Sequence, residues 1–491
     1  MVDPSRQLCV IGVAQHTVHD AQAPEPLTAW AHCARAAAAS AGNESLLTQL
    51  DSVQVVYCQS WPYDDPVGRL SAELSAEPTH RFYSGIGGTT PQELVDRTAE
   101  AMNRGEIDLA LICSVEALAT VRAAKKRGER LPWSHRKSAP FPWEPPHPSE
   151  LAHDVVQAWE TFPLWDTARR AARGASLADD AAEAAAMMAA MSAVAEDNPY
   201  AWRPVALDAA TVGTPTADNR YVGWPYTKNE VAVMDVDMSA ALLLATRARA
   251  DELGIDEDRR LYLSGYAAAE DPATVAERDD MSRSVAMAVT GSAALAQANL
   301  GIEDIDFFDL YSCFPSSVRL ACDALGLAVH DPRGLTVTGG LPYAGGPASG
   351  YMTHAIASTF DRVTARGGHA LLTGVGMHMA KHVAAVWSSS PIASTADGSV
   401  DPVDLQAEVE KRQKRRHVLT TYAGPATVAA YTVAHGRDGA AVSGLVVVDS
   451  REGRALARVD APELLTDAES RELVGQPVTV ITDGKRNTAS W

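Results

Sequence analysis

The chain has 491 residues, 46% of them hydrophobic, and a formal net charge of -20. That length supports large cores and two or more domains, and the acidic balance excludes a general nucleic-acid-binding role while leaving a local basic pocket open, because phosphate contacts need a basic surface. Met1 to Leu8 holds no apolar core flanked by positive charge, and no run elsewhere approaches the roughly 18 apolar residues of a membrane span, so a cytoplasmic protein without a membrane segment is expected. The 6 cysteines, Cys9, Cys33, Cys58, Cys113, Cys313 and Cys322, contain no CxxC pair and read as reduced core residues rather than a disulfide or zinc framework.

In chain order, Leu8-Cys-Val-Ile-Gly12 and the apolar run after Leu50-Asp-Ser-Val53 read as strands, and both recur about 250 residues later, at Leu261-Tyr-Leu-Ser-Gly265 and after Ile302-Glu-Asp-Ile305. Short Val/Ile/Leu runs alternate with Ala-rich helical stretches such as Val285 to Asn299, which points to duplicated α/β units with parallel sheets and helices outside. Gly85-Ile-Gly87-Gly88-Thr89 leads into Thr90-Pro91-Gln92-Glu93, which spells a helix start with Thr90 as N-cap, Pro91 in the first turn and Glu93 closing a capping box. The glycine spelling lacks the third glycine and the acidic ribose ligand of a dinucleotide loop.

Leu131 to Pro148 is rich in Pro and Trp and reads as an irregular, aromatic-packed loop. Ser176 is a good N-cap for a helix over Leu177 to Ala195, whose Met187 and Met188 read as core. Further on, Asp306-Phe-Phe-Asp309-Leu-Tyr311-Ser312-Cys313-Phe-Pro315 reads as a buried strand, a tight turn and a helix, followed by a Gly-rich run from Gly339 to Tyr351. His378 and His382 are spaced i, i+4 on an expected helix but lack the Glu that a metalloprotease pair needs, so no metal site is assigned. Lys411 to Arg416 is a basic run, readable as a solvated linker face or as a contact for phosphates. Beyond it, Thr427 to Val433, Gly444 to Val448, Ala455 to Val459 and Val478 to Ile481 read as strands of a small OB-type barrel, with turns at Arg437-Asp438-Gly439, Glu452-Gly453 and Asp483-Gly484.

Tyr311-Ser312-Cys313-Phe314 and Gly345-Gly346-Pro347 resemble the thiolase superfamily, whose corresponding blocks read Asn-Glu-Ala-Phe or His-Asp-Cys-Phe and Gly-His-Pro. Gly105 and Glu116 match further landmarks, which sets the acyl-accepting cysteine position on Gly88, and the second Cys-x-Gly block matches Gly374-Val375-Gly376. The resemblance implies an α/β fold of duplicated thiolase-like halves with an inserted loop domain, followed by the small β domain seen in mycobacterial-type thiolase-like proteins. The expected division is 1–120 for the first half, 121–210 for the loop domain, 211–258 for the return to the first half, 259–405 for the second half and 417–491 for the β domain. It also implies acyl-CoA as partner and ligand, no other cofactor, and leaves open a homodimer through the core.

Glycine carries no nucleophile and no base, so a working thiolase or acetyl-CoA acetyltransferase mechanism is not expected. Three readings follow. In the first, Gly87, Gly88, Thr89, Thr90, Ser312, Cys313, Gly345, Gly346, Gly374 and Gly376 line an empty nucleophile slot that binds a CoA thioester in lipid or steroid metabolism. The second resembles the thiolase-like aldolases of steroid side-chain breakdown: a carbon–carbon lyase cleaving a β-hydroxyacyl-CoA through Tyr311 and Tyr351, with His354 as the neighbour that activates a phenol. The third is a non-catalytic scaffold. Tyr311 also fits a plain packing role, and Cys313 reads as a structural thiol rather than a displaced nucleophile.

Overall fold

The structure, a computed structural model, describes residues 3–137, 146–391 and 402–491. Its first half supplies β1 (Leu8–Thr17), β2 (Ser52–Val55), β3 (His80–Tyr83) and β4 (Leu109–Ala117); the hairpin β5 (Tyr221–Trp224) and β6 (Tyr226–Thr227) precedes β7 (Asp237–Thr246). The second half supplies β8 (Leu261–Glu270), β9 (Phe307–Asp309), β10 (His369–Gly376) and β11 (Lys381–Ser388). These nine strands, without the hairpin, form one sheet in the order β3-β2-β4-β7-β1-β8-β11-β10-β9. The halves join edge to edge where Cys9 and Val10 of β1 face Tyr262 and Leu261 of β8.

Outward from that seam the order is β1, β7, β4, β2 on one side and β8, β11, β10, β9 on the other, so the duplication read from Leu8/Leu261 and from Leu50/Ile302 is the internal symmetry of the fold. Strand direction differs from the expectation. β2 runs parallel to β3 and β4, and β9 parallel to β10, but β7 and β11 are antiparallel to both of their neighbours. Both return strands are buried along their whole apolar length, and a continuous apolar run does not encode direction.

Helix Thr90–Asn103 and helix Tyr351–Arg366 occupy equivalent places in the two halves and pack against each other. Helix Leu177–Glu196 starts as expected, with the Ser176 hydroxyl accepting from Asp179 N at 3.1 Å, and Met187 and Met188 are fully buried. Trp133 of the Pro- and Trp-rich loop meets Trp61 edge-on at 5.1 Å; the loop's residues 138–145 lie outside the described part.

Beyond helix Pro402–Arg412 come β12 (Val418–Leu419), β13 (Gly424–His435), β14 (Ala441–Asp449), β15 (Arg454–Val459), β16 (Pro477–Thr482) and β17 (Asn487–Ser490). β13 pairs with β14, β14 with β15, β15 with β17, β17 with β16 and β16 with β13, which closes a barrel with its own apolar interior. β5 adds to the outside of β13, with Trp224 and Gly223 opposite Val433 and Ala434. Part of 211–258 therefore belongs to the barrel's sheet, and the first half resumes at β7. The basic run before the barrel is pinned: Arg415 pairs with Glu277 at 3.2 Å and Arg416 with Asp279 at 2.6 Å.

Candidate functional site

The fold brings the four motifs, three of them glycine-bearing, to one place. Gly88 lies at the start of helix Thr90–Asn103, β9 delivers Tyr311 two residues beyond its last residue, β10 ends in Gly374-Val375-Gly376, and the Gly339 to Gly350 loop closes the far side before helix Tyr351–Arg366. Gly87 N donates to Ser349 Oγ at 3.0 Å, and Leu341 N donates to Ser312 Oγ at 3.0 Å, so the loops hold one another.

The expected empty slot is filled. A Cβ at Gly88 would run into the Tyr311 hydroxyl, its ring carbon and the Val375 carbonyl. Position 374 is equally full, since a Cβ there would strike Met352 Sδ and Val383 Cγ2. Gly345 sits at φ +105 against Met238 and Trp202, and Gly346, with Leu341 and the Ala232-Val233 segment at 3.4–3.5 Å, is the one of these positions with ordinary room for a methyl group. Tyr311, Tyr351, Ser312, Gly87, Gly88, Thr89, Thr90, Gly345, Gly346, Gly374 and Gly376 are all buried.

The helix cap also differs. Thr89, not Thr90, is the N-cap residue, and Thr89 Oγ1 donates to Glu93 Oε1 at 2.6 Å instead of capping the backbone, so the capping box does not form. With Pro91 one position further in, the hydroxyl that faces the first turn is the one nearer the glycines.

Tyr351 is locked. Its hydroxyl donates to Asp309 Oδ1 at 2.8 Å and lies 2.6 Å from Thr338 Oγ1. The other Asp309 oxygen accepts from Thr336 Oγ1 (2.9 Å), Thr338 Oγ1 (3.0 Å), Val337 N (3.0 Å) and Thr338 N (3.1 Å). Burial raises the Asp309 pKa against the pull of these donors, and burial together with Asp309 raises that of Tyr351. Tyr311 meets Tyr351 edge-on at 5.4 Å; burial, followed by Cys313, raises its pKa too, so both phenols are protonated at neutral pH.

His354 does not serve either tyrosine. Its Nδ1 lies 3.0 Å from Gln15 Oε1, its Nε2 is buried without a hydrogen-bond partner, and burial pushes the imidazole down to about 3. One turn past Tyr351, it points to β1 rather than back toward β9. Cys313 has its thiol pushed up to about 12 by burial, offset by its contact with Ser317, which is the state of a structural thiol. The two histidines further on do not share a helix: Met377 and Met379 take positive φ, the chain turns, and His382 lies on β11. His382 Nε2 is 3.2 Å from Asp271, which also meets Ser284, Arg278 and the Ala286 N–H.

The sequence reading missed two features. Asp309 organises the centre, and a carboxylate inside an apolar strand ahead of Thr336-Val-Thr338 is the signal that could have found it. The second is a groove of about 610 Å³, lined by Arg203, Thr211, Thr216, Asp218, Lys228 and Asn229 among others, that reaches Val233. Gly346 N donates to the Val233 carbonyl at 2.9 Å, so the Val233 end of the groove lies against Gly346. Among the described residues neither Arg203 nor Lys228 has an ion-pair partner; Arg203 Nη2 donates to Asn229 Oδ1 at 3.3 Å. No helix among the described residues is long and apolar enough to cross a membrane.

A family model for the thiolase-like protein type 1 additional C-terminal domain matches residues 404–485. Among solved structures, a monomeric SCP2-thiolase like protein type 1 from Mycobacterium smegmatis is 29% identical, with 100% of each chain covered and a TM-score of 0.86. An Ltp2-ChsH2(DUF35) aldolase is 14% identical over 78% of this chain and 98% of its own, with a TM-score of 0.61, and human mitochondrial 3-ketoacyl-CoA thiolase is 14% identical over 80% and 100%, with a TM-score of 0.56. The last two share the fold. No curated protein sequence matches.

Proposed function

We propose that this chain, a member of the thiolase superfamily, binds CoA thioesters of lipid or steroid metabolism and carries out no thiolysis. The observation that carries the reading is the occupation of both nucleophile positions: Tyr311 fills the space beside Gly88, and Met352 with Val383 fills that beside Gly374. Thiolysis needs a nucleophile to hold the acyl group and a base to handle the proton, and two glycines and two protonated phenols supply neither. The groove supports the binding half. Arg203 and Lys228 offer unpaired positive charge for the nucleotide phosphates, and the groove leads toward the centre, where a pantetheine arm would go. Passage beyond Val233 requires movement of the Ala232 to Val236 segment, which belongs to no helix or strand and carries the exposed Met234.

The test is direct. Incubation with acetoacetyl-CoA should leave the intact protein mass unchanged and release no acetyl-CoA, while CoA esters should raise the melting temperature by mass action. An acyl adduct on any residue of the centre overturns the first half; no shift at millimolar ligand overturns the second and favours the scaffold. A second reading, retro-aldol cleavage of a β-hydroxyacyl-CoA, draws on the edge-on contact of Tyr311 with Tyr351. In it the phenols act as proton donors, and Tyr311→Phe should cut turnover by roughly a hundredfold, the scale of a general acid.

A further inference from the structure

We infer that the carboxyl-terminal barrel is a buttress for the Arg203/Lys228 groove, setting the position of its wall through the β5–β6 hairpin. The part of this inference that concerns ligand affinity rests on the binding function proposed above; the mechanical part does not.

The wall begins where the hairpin ends. β6 finishes at Thr227, and the next two residues, Lys228 and Asn229, line the groove. Asn229 N donates to Asn219 Oδ1 at 2.8 Å, and Asn219 Nδ2 gathers the carbonyls of Thr211, Val212 and Thr214 at 2.8–3.1 Å, so the opposite wall hangs on the same two asparagines. Lys228 N donates to the Arg220 carbonyl at 2.9 Å, which ties the lysine to the residue just before β5.

β5 in turn is held by the barrel rather than by the nine-stranded sheet. Val433 and Ala434 pair with Trp224 and Gly223, and Thr432 Oγ1 donates to the Trp224 carbonyl at 2.8 Å. Arg170 lies over both the Trp224 ring (5.2 Å) and the Tyr431 ring (5.6 Å), donates to the Tyr431 hydroxyl at 2.8 Å and pairs with Glu472 at 2.9 Å. On its other face Gly223 approaches the Trp159 carbonyl so closely that a Cβ would collide with it. The hairpin is thus clamped between helix Ala158–Arg173 and the barrel, and a shift of the barrel moves Lys228 and Asn229 with it. Thr432 and Arg170 are positioning residues in this arrangement.

The test compares two barrel variants of the full chain. Thr432→Val removes the hydrogen bond to the Trp224 carbonyl at nearly constant volume; Val448→Ala opens the barrel interior at a residue that pairs with Val428 and Ala455 and not with β5. Amide exchange over residues 211–229 and CoA affinity by calorimetry are read for both. Thr432→Val should speed exchange of that segment and weaken CoA binding by about threefold to tenfold, the reach of one lost hydrogen bond, while Val448→Ala lowers the melting temperature and leaves both readings at wild type. Wild-type exchange of the segment in Thr432→Val, or an equal effect from Val448→Ala, overturns the inference. If the wild-type chain fails to bind CoA, the proposed function falls, and the exchange measurement alone decides the buttress.

Discussion

The centre beneath Gly88 and the groove ending over Gly346 lie side by side, and they treat space and charge in opposite ways. At the centre, Tyr311 beyond β9, Met352 of helix Tyr351–Arg366 and Val383 of β11 occupy the volume beside Gly88 and Gly374, and the Asp309 carboxylate is surrounded by donors from the protein itself. In the groove, two cations face open volume without a carboxylate partner among the described residues. Filling of the centre and opening of the groove are separate features of the fold, and this chain has both.

The largest expected effect tests how much of the centre is structural. Asp309→Ala leaves Tyr351, Thr336, Thr338 and two backbone N–H groups without their acceptor and should cost about 4 kcal/mol in urea unfolding, the scale of breaking a buried charged network. A cost near that of a surface substitution would show that the network is dispensable and the centre open to chemistry. Next, Gly88→Ala should cost about 2 kcal/mol through overpacking, and Gly88→Ala combined with Tyr311→Phe should recover part of it, because the hydroxyl is one of the two nearest obstacles. Strict additivity in that cycle would mean that the tyrosine does not fill the glycine's space.

On the groove side, Lys228→Ala should leave stability near wild type and weaken CoA binding by about tenfold, with a shallower salt dependence. The smallest effect concerns pH at the seam between barrel and hairpin. His435 packs on Tyr221 at 5.4 Å; burial alone would lower its pKa, but Glu469 at 2.6 Å and the Gly439 carbonyl at 2.9 Å hold it above the usual value. Its stabilising contribution is then complete below the unfolded pKa of about 6.5 and is lost as pH rises through the raised folded value. The melting-temperature advantage of wild type over His435→Gln should therefore shrink on going from about pH 6 to about pH 8.

The sequence reading succeeded where one local rule sufficed. The barrel strands and their turns at Asp438-Gly439 and Gly453 follow from alternating apolar residues between turn signals, and the Ser176 cap with its Ala-rich run marks one helix almost to the residue. The repeat was visible because β1 and β8 are buried at the same place in each half. What was hidden depends on residues distant in sequence. That the Gly88 slot is full requires Tyr311, 223 residues away (311 − 88), to be in view. The helix expected at His378 and His382 fails because Met377 and Met379 adopt positive φ, which non-glycine residues rarely do and spacing alone does not foresee. The expected pairing of His354 with a tyrosine rested on nearness in sequence to Tyr351, whereas the contact with Gln15 decides where that ring goes.

The pairing of β5 with β13 joins two parts of a single polypeptide, and that fact has a concentration behind it. A barrel supplied as a separate subunit would leave its strand partner whenever dilution took it below its dissociation constant. Here the barrel is held at an effective concentration set by its covalent connection and not by dilution. The β5–β13 contact, only two residue pairs and a few side-chain bonds, is therefore intramolecular, and its formation does not depend on how dilute the protein is.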